Sequence, residues 1–99
     1  MGHVRYTFLA ETDLEDIWFY IARDDRRAAD RAVIAIDAEC VRFSDVPDAG
    51  RARQDIGEGV RHVAWGRYVI YYRRIEGGIQ VLRILHSARD ITTDLFELE

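Results

Sequence analysis

Apolar residues recur along this chain with two different periods, and each period predicts its own kind of element. Val4 to Leu9 is a short apolar-rich run that reads as a strand. From Thr12 the spacing changes to that of a helix. Leu14, Ile17, Trp18 and Ile21 recur at i, i+3, i+4 and i+7, and Thr12-Asp13-Leu14-Glu15 has the form of a capping box, so a helix is predicted to run to about Asp24. Asp24-Asp25 makes a short break and a cap. A second helix follows from about Arg26 to Ser44, with Ala29, Ala32, Val33, Ile36, Cys40 and Phe43 on one face. Val46-Pro47-Asp48-Ala49-Gly50 stops it and turns the chain.

The second half changes to strand spacing. Arg51 to Gly59 is polar and predicts a loop. Val60–Trp65, Tyr68–Arg74 and Ile79–Leu85 predict three strands, joined by turns at Trp65-Gly66-Arg67 and Ile75-Glu76-Gly77-Gly78. Tyr68-Val69-Ile70-Tyr71-Tyr72 does not alternate, which predicts a central strand covered on both faces. Ile91, Leu95, Phe96 and Leu98 give the tail an apolar side without fixing its conformation. The expected fold is α+β in the order β-α-α-β-β-β, a helix hairpin packed on a small, mostly antiparallel sheet, forming one domain over residues 1–99. Pattern alone leaves the place of the first strand open.

Charge is distributed unevenly. Residues 1–50 carry six Arg against eleven acids, residues 51–89 carry eight Arg against Asp55, Glu58 and Glu76, and the last ten add Asp90, Asp94, Glu97 and Glu99. The second half of the chain therefore presents a basic surface suited to an acidic partner or to phosphates. All 14 basic side chains are Arg, and Arg makes a poor general base because it keeps its proton. The single cysteine, Cys40, forms no internal disulfide and reads as core filler; with no export signal, a cytoplasmic location is expected. No apolar run reaches the roughly 20 residues that span a bilayer, so no membrane partner is expected.

Candidate chemistry is sparse. The three His residues share no metal spacing with each other or with Cys40, and no dinucleotide or P-loop fingerprint is present, so neither metal nor cofactor is expected. His86-Ser87-Ala88-Arg89-Asp90 lacks the glycine-flanked elbow of a serine hydrolase. Arg83, in a mainly apolar strand, must find a carboxylate or phosphate or else reach solvent; Asp55, Glu58, Glu76 and Asp90 are the internal candidates. Phe19 on helix one and Ile34, Ala38 and Val41 on helix two lie opposite the core stripes. They are either scattered surface residues or the ridge of a protein-binding face.

The order of motifs resembles the ParE-type toxins of the RelE/ParE superfamily. The resemblance rests on Ala10–Ile17, Ala28-Ala29-Asp30-Arg31, Pro47–Arg51, Gly59-Val60-Arg61, Gly66–Arg73 and Val81–Asp90, which together cover nearly the whole chain. It implies the toxin of a type II toxin–antitoxin system, neutralised by a ParD-like antitoxin with a ribbon-helix-helix start. Such a toxin is expected to sit in a hetero-oligomer and to meet operator DNA only through that antitoxin. The ParE branch implies a DNA gyrase inhibitor that is not an enzyme. The RelE branch implies a ribosome-dependent messenger-RNA endoribonuclease, for which Arg61, Arg83 and His86 are the catalytic candidates. A toxin-fold relic that only binds antitoxin is the third reading. Cleavage of RNA needs a base, an acid and a cation on the phosphate. This chain has no Lys, and its last Tyr is Tyr72, inside a strand. The ParE reading is therefore preferred, with Arg61, Arg83 and Arg89 as target-binding residues and Phe19, Ile34, Ala38 and Val41 as antitoxin-binding residues.

Overall fold

The computed structural model describes residues 2–97. Its elements are β1 (His3–Tyr6), α1 (Phe8–Ala22), α2 (Arg26–Asp45), a 3-10 turn (Pro47–Ala49), β2 (Arg51–Ala52), β3 (Val60–Trp65), β4 (Tyr68–Ile75), β5 (Gly78–His86) and a second 3-10 turn (Thr93–Leu95). The strands form one sheet in the order β1-β5-β4-β3-β2. All neighbours are antiparallel except β1, which lies parallel to β5 at the edge. The expected helix hairpin on a mostly antiparallel sheet is thus present, and the open question of the first strand is answered.

The boundary between β1 and α1 corrects the sequence reading. The strand ends at Tyr6, not Leu9, and the N-cap of the helix lies five residues before the expected one. Thr7 is the true N-cap: its hydroxyl accepts from the Ala10 amide at 3.0 Å and donates to the Leu82 carbonyl at 2.8 Å. Thr12 lies inside the helix and donates back to the Phe8 carbonyl. A single hydroxyl that caps a helix and also satisfies a sheet edge outweighs a local motif that does only the first. The second helix starts at its expected cap, Asp25, whose carboxylate accepts from the Ala28 amide at 3.1 Å.

Two apolar clusters lie on opposite faces of the sheet. Ile17, Ile36, Cys40, Phe43, Ile70, Tyr72, Ile79, Val81 and Ile84 fill the space between sheet and helices. Ile56, Val60, Tyr71, Leu82, Leu85 and Phe96 form a smaller cluster on the outer face, joined by Ile91 and Leu95. Covering β4 on both sides explains why its sequence does not alternate. Leu98, assigned to the tail's apolar side, lies outside the described residues. The expected loop at Arg51–Gly59 contains the two-residue strand β2, which the polar sequence concealed.

A knot of hydrogen bonds ties the end of α2 to the sheet. The Tyr72 hydroxyl accepts from the Gly50 amide at 2.9 Å and donates to the Pro47 carbonyl at 2.7 Å. Arg61 donates to the Gly50 carbonyl at 2.7 Å. Gly50 is required by space rather than by φ, since a Cβ there would collide with the Tyr72 hydroxyl and lie 2.8 Å from its Cζ.

Candidate functional site

Where β1 stops pairing, the outer edge of β5 still needs partners. Tyr6 opposes Val81, and Thr7 donates its amide to the Val81 carbonyl at 3.0 Å. Beyond that, β5 bulges: Tyr71 opposes Arg83 and Tyr72 opposes Val81, leaving Leu82 as the extra residue. Side chains from α1 serve the backbone here. Asp13 accepts from the Ile84 amide at 2.9 Å and takes two bonds from Arg83, at 2.8 and 2.7 Å. The remaining Arg83 nitrogen donates to the Leu95 carbonyl at 2.7 Å. Side-chain exposure is 11 % for Arg83 and 7 % for Asp13, so the pair is desolvated as well as bidentate. Donating to the Asp13 carboxylate pushes the guanidinium pKa of Arg83 still higher, and the cation is permanent.

This geometry decides between the alternatives open for Arg83. Its partner is a carboxylate, but Asp13, and not Asp55, Glu58, Glu76 or Asp90. Asp13 sits on a helix seventy positions away, which no local pattern could reveal. With three of its N–H groups held by Asp13 and Leu95 and its side chain only 11 % exposed, Arg83 has a fastening role and little edge left for a phosphate. Arg61 is likewise tied to Gly50. His86 lies four residues further along β4 than Arg61, by register with Tyr68 and Tyr72, and two strands across. At about 3.3 Å per residue and 4.8 Å per strand, their Cα atoms are roughly 16 Å apart. The three candidates for RNA cleavage are not brought together.

A groove is assembled at the C-terminal end of β5, next to the Asp13–Arg83 pair. Ile17, Tyr20 and Ile21 of α1, Ala28 and Ala32 of α2, Trp65, Arg67 and Tyr68 of the β3–β4 hairpin, and Ile84 and His86 of β5 enclose about 840 Å³. Small Ala side chains on α2 hold this space open, and the floor is apolar. Charge sits on the walls: Asp13 and Asp16 on the helix side, Arg67 and Arg89 on the sheet side. The His86 ring meets Tyr68 edge to face at 5.7 Å, and its Nδ1 accepts from the Ala88 amide at 3.0 Å. Of the expected target-binding set, Arg89 alone borders this groove.

The expected antitoxin ridge is at the surface. Phe19 is 65 % exposed and Ile34 is 68 % exposed. Ala38 is exposed and Val41 half-buried. Phe19 meets the ring of Trp18 edge to face at 5.2 Å, and Trp18 donates to Asp30 on α2 at 2.7 Å. Sequence reasoning missed Phe8, 81 % exposed in the first turn of α1. Eleven positions before Phe19, it lies within about 20° of the same helix side at 100° per residue. Placing Phe8 in a strand hid that spacing.

Residues 4–91 match the family described as the ParE toxin of the type II toxin–antitoxin system, parDE. This chain belongs to the ParE toxins. A similar protein, Toxin ParE1 of Caulobacter vibrioides, is 28 % identical over 97 residues, covering 96 % of this chain and 99 % of that one. Toxin ParE1 of Mycobacterium tuberculosis is 32 % identical over 90 residues, covering 87 % and 90 %. Among solved structures, a chain of the chromosomal ParDE system from P. aeruginosa superposes with a TM-score of 0.69 at 26 % identity, covering 87 % of this chain and 96 % of that one. As a ParE toxin the protein is the toxin of a type II toxin–antitoxin system. Among the described residues no helix is long and apolar enough to cross a membrane.

Proposed function

We propose that this ParE toxin works in the cytoplasm by adhesion, inhibiting DNA gyrase without itself breaking a bond. We further propose that a ParD-like antitoxin with a ribbon-helix-helix domain neutralises it. In that hetero-oligomer the antitoxin would read operator DNA. The supporting observation is the state of Arg83: the cation most suited to a reacting phosphate is locked to Asp13 and Leu95, and Arg61 and His86 are far apart. An antitoxin segment with an apolar face suits the groove and the ridge of Phe19, Ile34, Ala38 and Val41 beside it. Arg89 and Arg67 on the groove wall would meet acidic residues of that segment or of the target.

The decisive experiment adds purified toxin to a gyrase supercoiling reaction. Inhibition with accumulation of cleaved DNA is the expected result, and antitoxin should reverse it. Untouched gyrase together with cut messenger RNA on ribosomes would replace this reading with the ribonuclease one. Induction without any effect on growth would point to a relic.

A further inference from the structure

The outer face of the sheet, turned away from the helices, is covered only in part. Phe96 closes over Tyr71 with ring centroids 5.1 Å apart, and Ile91 and Leu95 complete the cover. A different set of residues occupies the rest. Val4 and Tyr6 pack toward the helix-side core, so their exposed neighbour Arg5 faces outward. Arg5 pairs with Gln80, and Gln80 pairs with Arg73, which makes one row across β1, β5 and β4. Arg73 donates to the Gln80 side chain at 3.3 Å, which holds its guanidinium in that row. In the neighbouring row Arg51 opposes His62, and His62 opposes Tyr71. Arg53 joins them, 3.0 Å from the His62 ring and 5.7 Å over the Tyr71 ring.

Four guanidinium groups therefore share one face of the sheet, although the whole chain carries a net charge of −4. Asp55 on this side is bound by Arg53, and Glu58 and Glu76 stand in the bordering turns. Permanent cations on an open sheet face, with Gln and His donors between them, fit a row of phosphates. Unpaired bases would instead need exposed rings on which to stack. The Tyr71 and Phe96 rings on this side are both 3 % exposed and packed against each other, and the half-buried His62 ring stands edge to face against Tyr71.

We propose that this uncovered half of the outer face docks the backbone phosphates of a nucleic-acid duplex without reading its sequence. Arg5, Arg51 and Arg73 make the contacts, and Arg53 holds the edge of the surface in place. This surface is separate from the groove and from the ridge, so it stands whichever macromolecule the toxin acts on.

The test is fluorescence anisotropy of the purified full chain with a labelled duplex of about 24 base pairs, titrated from 50 to 200 mM salt. Parallel arms use duplex DNA, duplex RNA, a single strand of the same sequence and an acidic peptide. Binding to either duplex is expected, with a log–log salt slope of about −3 for three phosphate contacts. Arg5→Glu with Arg73→Glu should weaken that binding at least about tenfold at 50 mM salt and flatten the slope by about two. The milder pair Arg5→Gln with Arg73→Gln, checked by thermal melting, should reproduce the flattening without disturbing the fold. Arg26→Glu with Arg27→Glu, on the helix layer, should change neither value. No duplex binding at 50 mM salt, equal binding by the charge-reversed protein, or tighter binding of the single strand or the peptide would each overturn the proposal.

Discussion

Replacing Asp13 by Ala tests the network on which α1, β5 and the tail converge. The substitution leaves Arg83 charged, 11 % exposed and without its counterion, and it leaves the Ile84 amide without an acceptor. Breaking a buried ion pair from one side costs about 3–5 kcal/mol. An orphaned buried amide adds about 1–3 kcal/mol. Arg83 keeps its bond to Leu95 and a small exposed edge, so the lower ends apply, about 4 kcal/mol in total. A domain of this size has roughly 5–15 kcal/mol of stability, so the loss is a large fraction of it. With a urea m-value of about 1.5 kcal/mol/M, the unfolding midpoint should fall by about 2.7 M. Asp13→Leu combined with Arg83→Met removes both charges and should be less damaging than Asp13→Ala alone, because no cation is stranded. Equilibrium urea unfolding of the wild type, Asp13→Leu, Arg83→Met and their combination completes a double-mutant cycle. A loss below about 1 kcal/mol for Asp13→Ala, or strict additivity of the two sites, would refute the view of this pair as a buried fastener.

Four further outcomes follow from other residues. Gly50→Ala should destabilise by about 2 kcal/mol through its collision with Tyr72, and Tyr72→Phe by a similar amount through the lost bonds to Gly50 and Pro47; thermal melts check both. Burial pushes the Cys40 thiol up to about 12, so at pH 8 only about one molecule in 10⁴ carries the thiolate, and a thiol reagent should label the protein only as it unfolds. Burial, then the nearby Arg53 and Arg51, hold the His62 pKa below its ordinary value, so the unfolded chain binds the proton more readily. Stability should therefore fall as pH drops below about 6.5. His62→Gln should reduce that dependence, and melting points at pH 8 and pH 5.5 measure the difference. Ile34→Asp should leave stability unchanged, because the side chain is 68 % exposed, yet weaken antitoxin binding by about 1–3 kcal/mol in a titration; unaltered affinity would remove Ile34 from the interface.

Much of the architecture was legible in the chain itself. Period-3.6 and strand spacing located both helices and the β3–β4–β5 meander, because burying a stripe or a face imposes a repeat on neighbouring residues. Asp25 announced the start of α2 for the same reason: its cap is completed within three residues. The order of short motifs in the second half carried the family. Contacts between distant segments carry no such trace. Thr7 displaced the capping box at Thr12 because its hydroxyl also meets Leu82, seventy-five positions away. The partner of Arg83, the parallel docking of β1 and the groove between α1, α2 and β5 were decided only when the strands found their neighbours. Local sequence fixes what a residue can bury or cap; which charge it meets depends on which backbone groups the assembled sheet leaves unpaired at its edge.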